Sequence, residues 1–196
     1  MQQAFEPVVS LILGGVRSGK SRHALRLAGG ASRVTFVATG KAVDGEMRDR
    51  IERHQAERPS NWITREEPIE LAQALRDVDS RCEYVIVDCL SFYAANLMEL
   101  CGGDSRQVHG HLDELCGALL RVPCPTVLVS NEVGSGVVPA YPAGRQYRDL
   151  LGEINQRVAA VASDVVLMIA GLPLALKQGG RPVERIFAPS AAELAP

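Results

Sequence analysis

The chain predicts an α/β fold, a mainly parallel sheet with helices on both faces. Three observations carry the prediction. Short apolar, β-branched runs alternate with stretches of helical period. A glycine-rich octapeptide joins the first such run to the first helix. At 196 residues and 46% hydrophobic content, the chain is long enough for one sizeable core and short for two domains.

In chain order, the run 8–13 reads as the first strand and 21–28 as the helix behind it. Strand 33–38 follows, then helical patterns at 46–56 and 69–78, strand 84–87, and helices at 92–100 and 107–120. Strand 126–130 precedes a long helix at about 145–162, where Leu150, Ile154, Val158 and Val161 recur every three or four residues and mark a buried face. Strand 165–170 completes the sheet, and 181–187 adds a short edge strand. We expect one nucleotide-binding catalytic domain at 1–187 and a loose tail at 188–196.

The octapeptide is Gly14-Gly15-Val16-Arg17-Ser18-Gly19-Lys20-Ser21, the G-x-x-x-x-G-K-[ST] pattern of a phosphate-binding P-loop, set between strand and helix as that loop requires. Gly14 and Gly19 let the backbone turn its N–H groups inward, and the helix starting near Lys20 adds the positive end of its dipole. Lys20 then reaches the β- and γ-phosphates of a nucleoside triphosphate, and the Ser21 hydroxyl is placed for magnesium.

A formal net charge of -2 with interspersed signs offers no field for nucleic acid, and the longest apolar runs are too short for a membrane span. The start lacks the basic-then-apolar pattern of a secretory signal. Cys82, Cys89, Cys101, Cys116 and Cys124 are odd in number with no C-x-x-C spacing, as expected for reduced, mostly buried thiols in a cytoplasmic protein. The expected partners are small molecules.

Beyond the loop, Asp88 ends an apolar strand expected to neighbour the loop, where P-loop proteins hold magnesium; an acid in this place also caps helices. His54 shares a helical face with Met47 and Ile51, among Arg50, Arg53 and Arg58. On these residues alone it is either a packed boundary histidine or a neutral nitrogen nucleophile facing an anion. The turn from Ser130 through Asn131, Glu132 and Gly134 to Gly136 offers polar groups at the same sheet edge, either as second-substrate territory or as a long connection. The N-K-x-D sequence of guanine-specific switch GTPases is absent.

Together these segments resemble the bifunctional adenosylcobinamide kinase / adenosylcobinamide-phosphate guanylyltransferase family of cobalamin biosynthesis, from about Leu11 to Lys177. The likeness rests on the octapeptide with Arg22, Val37-Ala38-Thr39, Glu46-Met47 with Arg50-Ile51, His54, and Arg58-Pro59 with Trp62. It continues through Asn131-Glu132-Val133-Gly134, Val137-Val138-Pro139, Arg148-Asp149 and Asn155-Gln156-Arg157. The resemblance implies a RecA-like P-loop NTPase fold and a guanylylated His54. It also implies nucleotide contacts at Thr39, Gly40, Lys41, Gln55, Ala56, Glu57, Arg58, Glu66 and Asp88, and a small homo-oligomer, a trimer. The substrates it implies are ATP, GTP, adenosylcobinamide and its phosphate, with Mg2+ on Ser21 and Asp88. A kinase without a covalent nucleotidyl intermediate is the main alternative; a non-enzymatic nucleotide-binding module is another. Tyr93, Tyr141 and Tyr147 are candidates to line a corrinoid site, and packing explains each equally well.

Overall fold

The computed structural model describes residues 8–41, 45, 55 and 58–183. Their strands join one eight-stranded sheet in the order β3-β2-β4-β5-β1-β6-β7-β8. These are β1 (Val9–Gly14), β2 (Val34–Ala38), β3 (Ile63–Glu66), β4 (Tyr84–Asp88), β5 (Thr126–Val129), β6 (Asp164–Ile169), β7 (Leu172–Gln178) and β8 (Arg181–Pro182). The first six are parallel to their neighbours, whereas β7 and β8 turn back antiparallel.

The helices are α1 (Lys20–Leu27), α2 (Leu71–Arg76), α3 (Leu90–Cys101), α4 (Ser105–Leu119) and α5 (Pro142–Val161). Strand alternation sends Leu11, Val37, Val85, Val87 and Leu128 to one face, where they pack with Leu75 of α2, Tyr93 and Leu97 of α3, Leu115 of α4 and Ile154 of α5. Ile12, Phe36, Ile86, Val127 and Val129 go to the other face, against Ala24 and Ala28 at α1. Layers on both faces explain why the central strands read as continuous apolar runs; every residue of β5 is buried.

From β1 the chain crosses past two positions to β2, and the later strands β4 and β5 fill the gap. It then passes β1 to place β6 on its other side. The connections therefore diverge beside β1, and in open α/β sheets the crevice outside such a point, at the carboxyl ends of the strands, receives the ligand.

Several expectations shift. Strands β3 and β7 were not foreseen, and of the expected edge strand at 181–187 only Arg181–Pro182 pairs, residues from 184 lying outside the described part. The expected helix 46–56 also lies outside it, apart from Gln55, which is helical. In α5 the buried face is Leu151, Ile154, Asn155 and Val158, so the stripe is rotated by one residue from Leu150, which like Val161 packs at its margin. All five cysteines are free; Cys89, Cys101 and Cys124 are buried. No helix among the described residues is long and apolar enough to cross a membrane.

Candidate nucleotide site

β1 delivers the octapeptide to the carboxyl edge of the sheet. Gly14 stands at φ 150°, and a β-carbon there would lie 2.5 Å from the Met168 carbonyl oxygen and 2.7 Å from Ser18 Oγ, so glycine is required. Gly19, at φ 97°, caps α1. The Gly171 N–H donates to the Ser18 carbonyl at 3.0 Å, which ties the β6–β7 turn to the loop. Inside the loop, the buried Lys20 ammonium donates to the Gly15 carbonyl at 2.7 Å. The Ser18 hydroxyl is buried with no hydrogen-bond partner. A buried cation, an unsatisfied hydroxyl and the start of α1 belong to one short loop, and a phosphate supplies the acceptor oxygens that such groups demand.

Asp88 ends β4, but β4 does not neighbour the loop strand as expected: β5 lies between them. The crossover order places it there, about two strand spacings, roughly 10 Å, from β1. Cys89 is the N-cap of α3 and makes no side-chain capping bond, so Asp88 stands one residue before the cap position. Ser21 is half-buried in the first turn of α1, and its hydroxyl and the Asp88 carboxylate are hard oxygen donors. Among the described residues no three His, Cys, Asp or Glu side chains gather as a metal cage. Two protein oxygens with the rest left to phosphate and water match how magnesium accompanies a triphosphate.

Thr39, expected to touch nucleotide, is fully buried. Its hydroxyl donates to the Cys89 carbonyl at 2.6 Å and accepts from the Cys89 N–H at 2.9 Å, while its carbonyl accepts from Asn96 Nδ2 at 2.8 Å. Every polar group of the residue is committed inside the protein, where it braces the ends of β2 and β4. Lys41 pairs with Glu99 at 2.8 Å in solvent, beside Gly40. Near the end of β3, Gln55 Nε2 lies 3.5 Å from Glu66 Oε1, and the Arg58 guanidinium stacks 3.5 Å from the centre of the Phe36 ring while donating to Thr64 Oγ1 at 3.2 Å. Gln55, Glu66 and Asp88 are therefore brought to the carboxyl edge of β3 and β4, whereas Arg58 lies over Phe36 and Thr64, midway along β2 and β3. His54, Ala56 and Glu57 lie outside the described residues.

Sequence reasoning passed over a polar frame beneath this edge. Asn96 also donates to the Pro68 carbonyl at 3.0 Å, and the Ser91 hydroxyl accepts the Asn131 N–H at 3.0 Å. Asn155 accepts from Ser130 Oγ at 2.6 Å and donates to the Asn131 carbonyl at 3.1 Å; the Glu132 N–H then reaches the Gly14 carbonyl at 3.1 Å. An asparagine within the apolar pattern of α3 was the available signal. Of the tyrosines, Tyr93 is a core residue, its hydroxyl pKa raised by burial. Tyr147 is half-buried and donates to the Ser91 carbonyl at 3.2 Å, and Tyr141 is exposed.

Comparison with known proteins follows the same line. Residues 10–176 match the family model described as cobinamide kinase / cobinamide phosphate guanyltransferase. The chain is 44% identical over 168 residues to a bifunctional adenosylcobalamin biosynthesis protein of Pseudomonas aeruginosa, covering 85% of this chain and 96% of that one. It is 36% identical over 178 residues to the Escherichia coli protein of the same description, covering 85% and 98%. A solved structure from Pyrococcus horikoshii matches with a TM-score of 0.56 at 9% identity, over 93% of this chain and 95% of that one, a likeness of fold alone.

Proposed function

Since the chain belongs to the cobinamide kinase / cobinamide phosphate guanyltransferase family, we propose that it phosphorylates adenosylcobinamide and then guanylylates the phosphate in adenosylcobalamin biosynthesis. The observation that carries the first half is the Lys20 ammonium folded within hydrogen-bond reach inside the glycine loop. In this reading the γ-phosphoryl group of ATP or GTP moves in line to the hydroxyl oxygen of the aminopropanol arm, ADP or GDP leaving and the hydroxyl proton passing to solvent. Lys20 turns from the Gly15 carbonyl to the phosphate oxygens, and the Ser18 hydroxyl and the N–H groups at the start of α1 offset their charge. Ser21 and Asp88 would hold Mg2+, which supplies charge neutralisation on the triphosphate.

For the second half, a ring nitrogen of His54 attacks the α-phosphorus of GTP and pyrophosphate leaves. A phosphate oxygen of adenosylcobinamide phosphate next attacks the same phosphorus, the P–N bond breaks, and adenosylcobinamide-GDP forms with a free imidazole restored. Gln55 and Glu66 stand at the sheet edge where a guanine nucleotide would be read, with Arg58 further back over Phe36. Loop and histidine serve different phosphorus atoms, so the two reactions use different nucleotide poses or a shift of the segment carrying His54. We further propose a cytoplasmic homotrimer.

The deciding experiment is incubation with GTP labelled at the α-phosphate. The protein acquires an acid-labile, alkali-stable label, and His54→Ala does not. Labelling that persists in the variant moves the nucleophile elsewhere, and no labelling of the parent chain leaves a kinase alone.

A further inference from the structure

At one end of the sheet an apolar surface is left open beside the loop. Strands β6 and β7 form a hairpin through the turn Ala170–Gly171, both residues at positive φ, 51° and 82°. Ile169 lies opposite Leu172 and Leu167 opposite Leu174, so the four side chains emerge on one face. By alternation it is the face of Val165, which packs with the α2–α5 layer, and the register continues the row to Leu13 on β1. Near the turn, however, that layer gives out: Ile169, Leu172 and Leu174 are 55%, 71% and 37% exposed. Between α5 and the strands runs a groove of about 400 Å³, with Leu13, Val165 and Leu176 among its apolar lining and Asn155, Gln156 and Lys177 among its polar lining.

This surface is joined to the phosphate loop. Besides the Gly171 to Ser18 hydrogen bond, a β-carbon on Gly19 would stand 3.4 Å from Gly171 Cα, and Gly14 pairs with Met168. Val16, 79% exposed, stands on the loop between those ties. An exposed apolar face of this kind needs an occupant.

Resting on the function proposed above, we propose that the β6–β7 hairpin face and the adjoining groove are the platform for the corrin ring of cobinamide. The ring is a broad macrocycle with apolar edges and a fringe of amides, matching an aliphatic sheet surface bordered by Gln156; Asn155 and Lys177 beside it are engaged by Ser130 and Asn131 and by the Ala159 and Ala160 carbonyls. Its acceptor hydroxyl sits on a short arm, so the ring must rest beside the loop and not across the molecule from it. The aliphatic row supplies area, and the turn fixes its distance from the phosphate.

The test substitutes Leu172→Glu and Ile169→Glu, with Leu172→Met as the conservative control. Kinase kinetics are measured against adenosylcobinamide and ATP separately, together with sedimentation velocity. The KM for adenosylcobinamide rises about tenfold or more while that for ATP stays within about twofold, and Leu172→Met behaves as the parent. An unchanged corrinoid KM overturns the platform, as does an equal rise for both substrates. A loss that accompanies an altered sedimentation coefficient also overturns it, the face then being a contact between copies of the chain. Absence of cobinamide-dependent phosphoryl transfer in the parent chain overturns the functional reading itself, and the platform with it.

Discussion

Lys20 shows how much one residue can concentrate. Its ammonium is buried and donates to the Gly15 carbonyl, inside the loop where an anion would sit. Lys20→Ala is expected to slow γ-phosphoryl transfer by about a thousandfold, roughly 4 kcal/mol of transition-state stabilisation, in a steady-state kinase assay; an unchanged rate removes Lys20 from the mechanism. Thr39 is the opposite case. Thr39→Val strands the Cys89 N–H and carbonyl in the interior and is expected to cost about 2 kcal/mol in urea unfolding, whereas Thr39→Ser keeps most of the stability. The loop was legible because its chemistry is contiguous in the chain. The brace was not, because Thr39 meets its partner 50 positions away.

Elements were readable where periodicity was strong and both faces were buried. β3 escaped notice because Ile63-Thr64-Arg65-Glu66 is an edge strand, largely exposed, whose charged residues carry no apolar run. β7 escaped because Pro173 and Lys177 interrupt its pattern; it lies in the antiparallel part of the sheet, beyond β6. The rotation of α5 has a physical cause: Asn155 belongs to the buried face through its bonds to Ser130 and Asn131, and a hydrophobic count overlooks a buried amide. Caps are more local. The Asp104 carboxylate accepts the N–H groups of Arg106 and Gln107 at 2.9 and 3.4 Å, so Asp104→Ala should lower stability by about 1 kcal/mol, read from the denaturation midpoint. A midpoint that does not move would show that solvent satisfies those donors equally well.

On the scale of the whole molecule, the two-layered core makes stability sensitive to alkali. The Cys89 thiol is pushed up to about 11, first by burial and then by the charge of Asp88, and the Tyr84 hydroxyl is pushed up to about 12 by burial and Asp164. Both are neutral when folded at neutral pH, and their folded values lie above the unfolded ones. Their contribution is therefore complete below about pH 9, and it is lost as the unfolded chain ionises and pH rises through 11 to 12. Melting temperature should fall across that window, and Cys89→Ala should flatten the decline between pH 9 and 11; equal slopes would place the sensitivity elsewhere. One small feature reaches further. Because the Gly171 amide belongs to the turn and answers the carbonyl of the loop, the two guests draw on a common reserve of order. Whatever factor nucleotide imposes on corrinoid affinity, corrinoid must return in equal measure on nucleotide affinity, and paired titrations run from either side should give the same number.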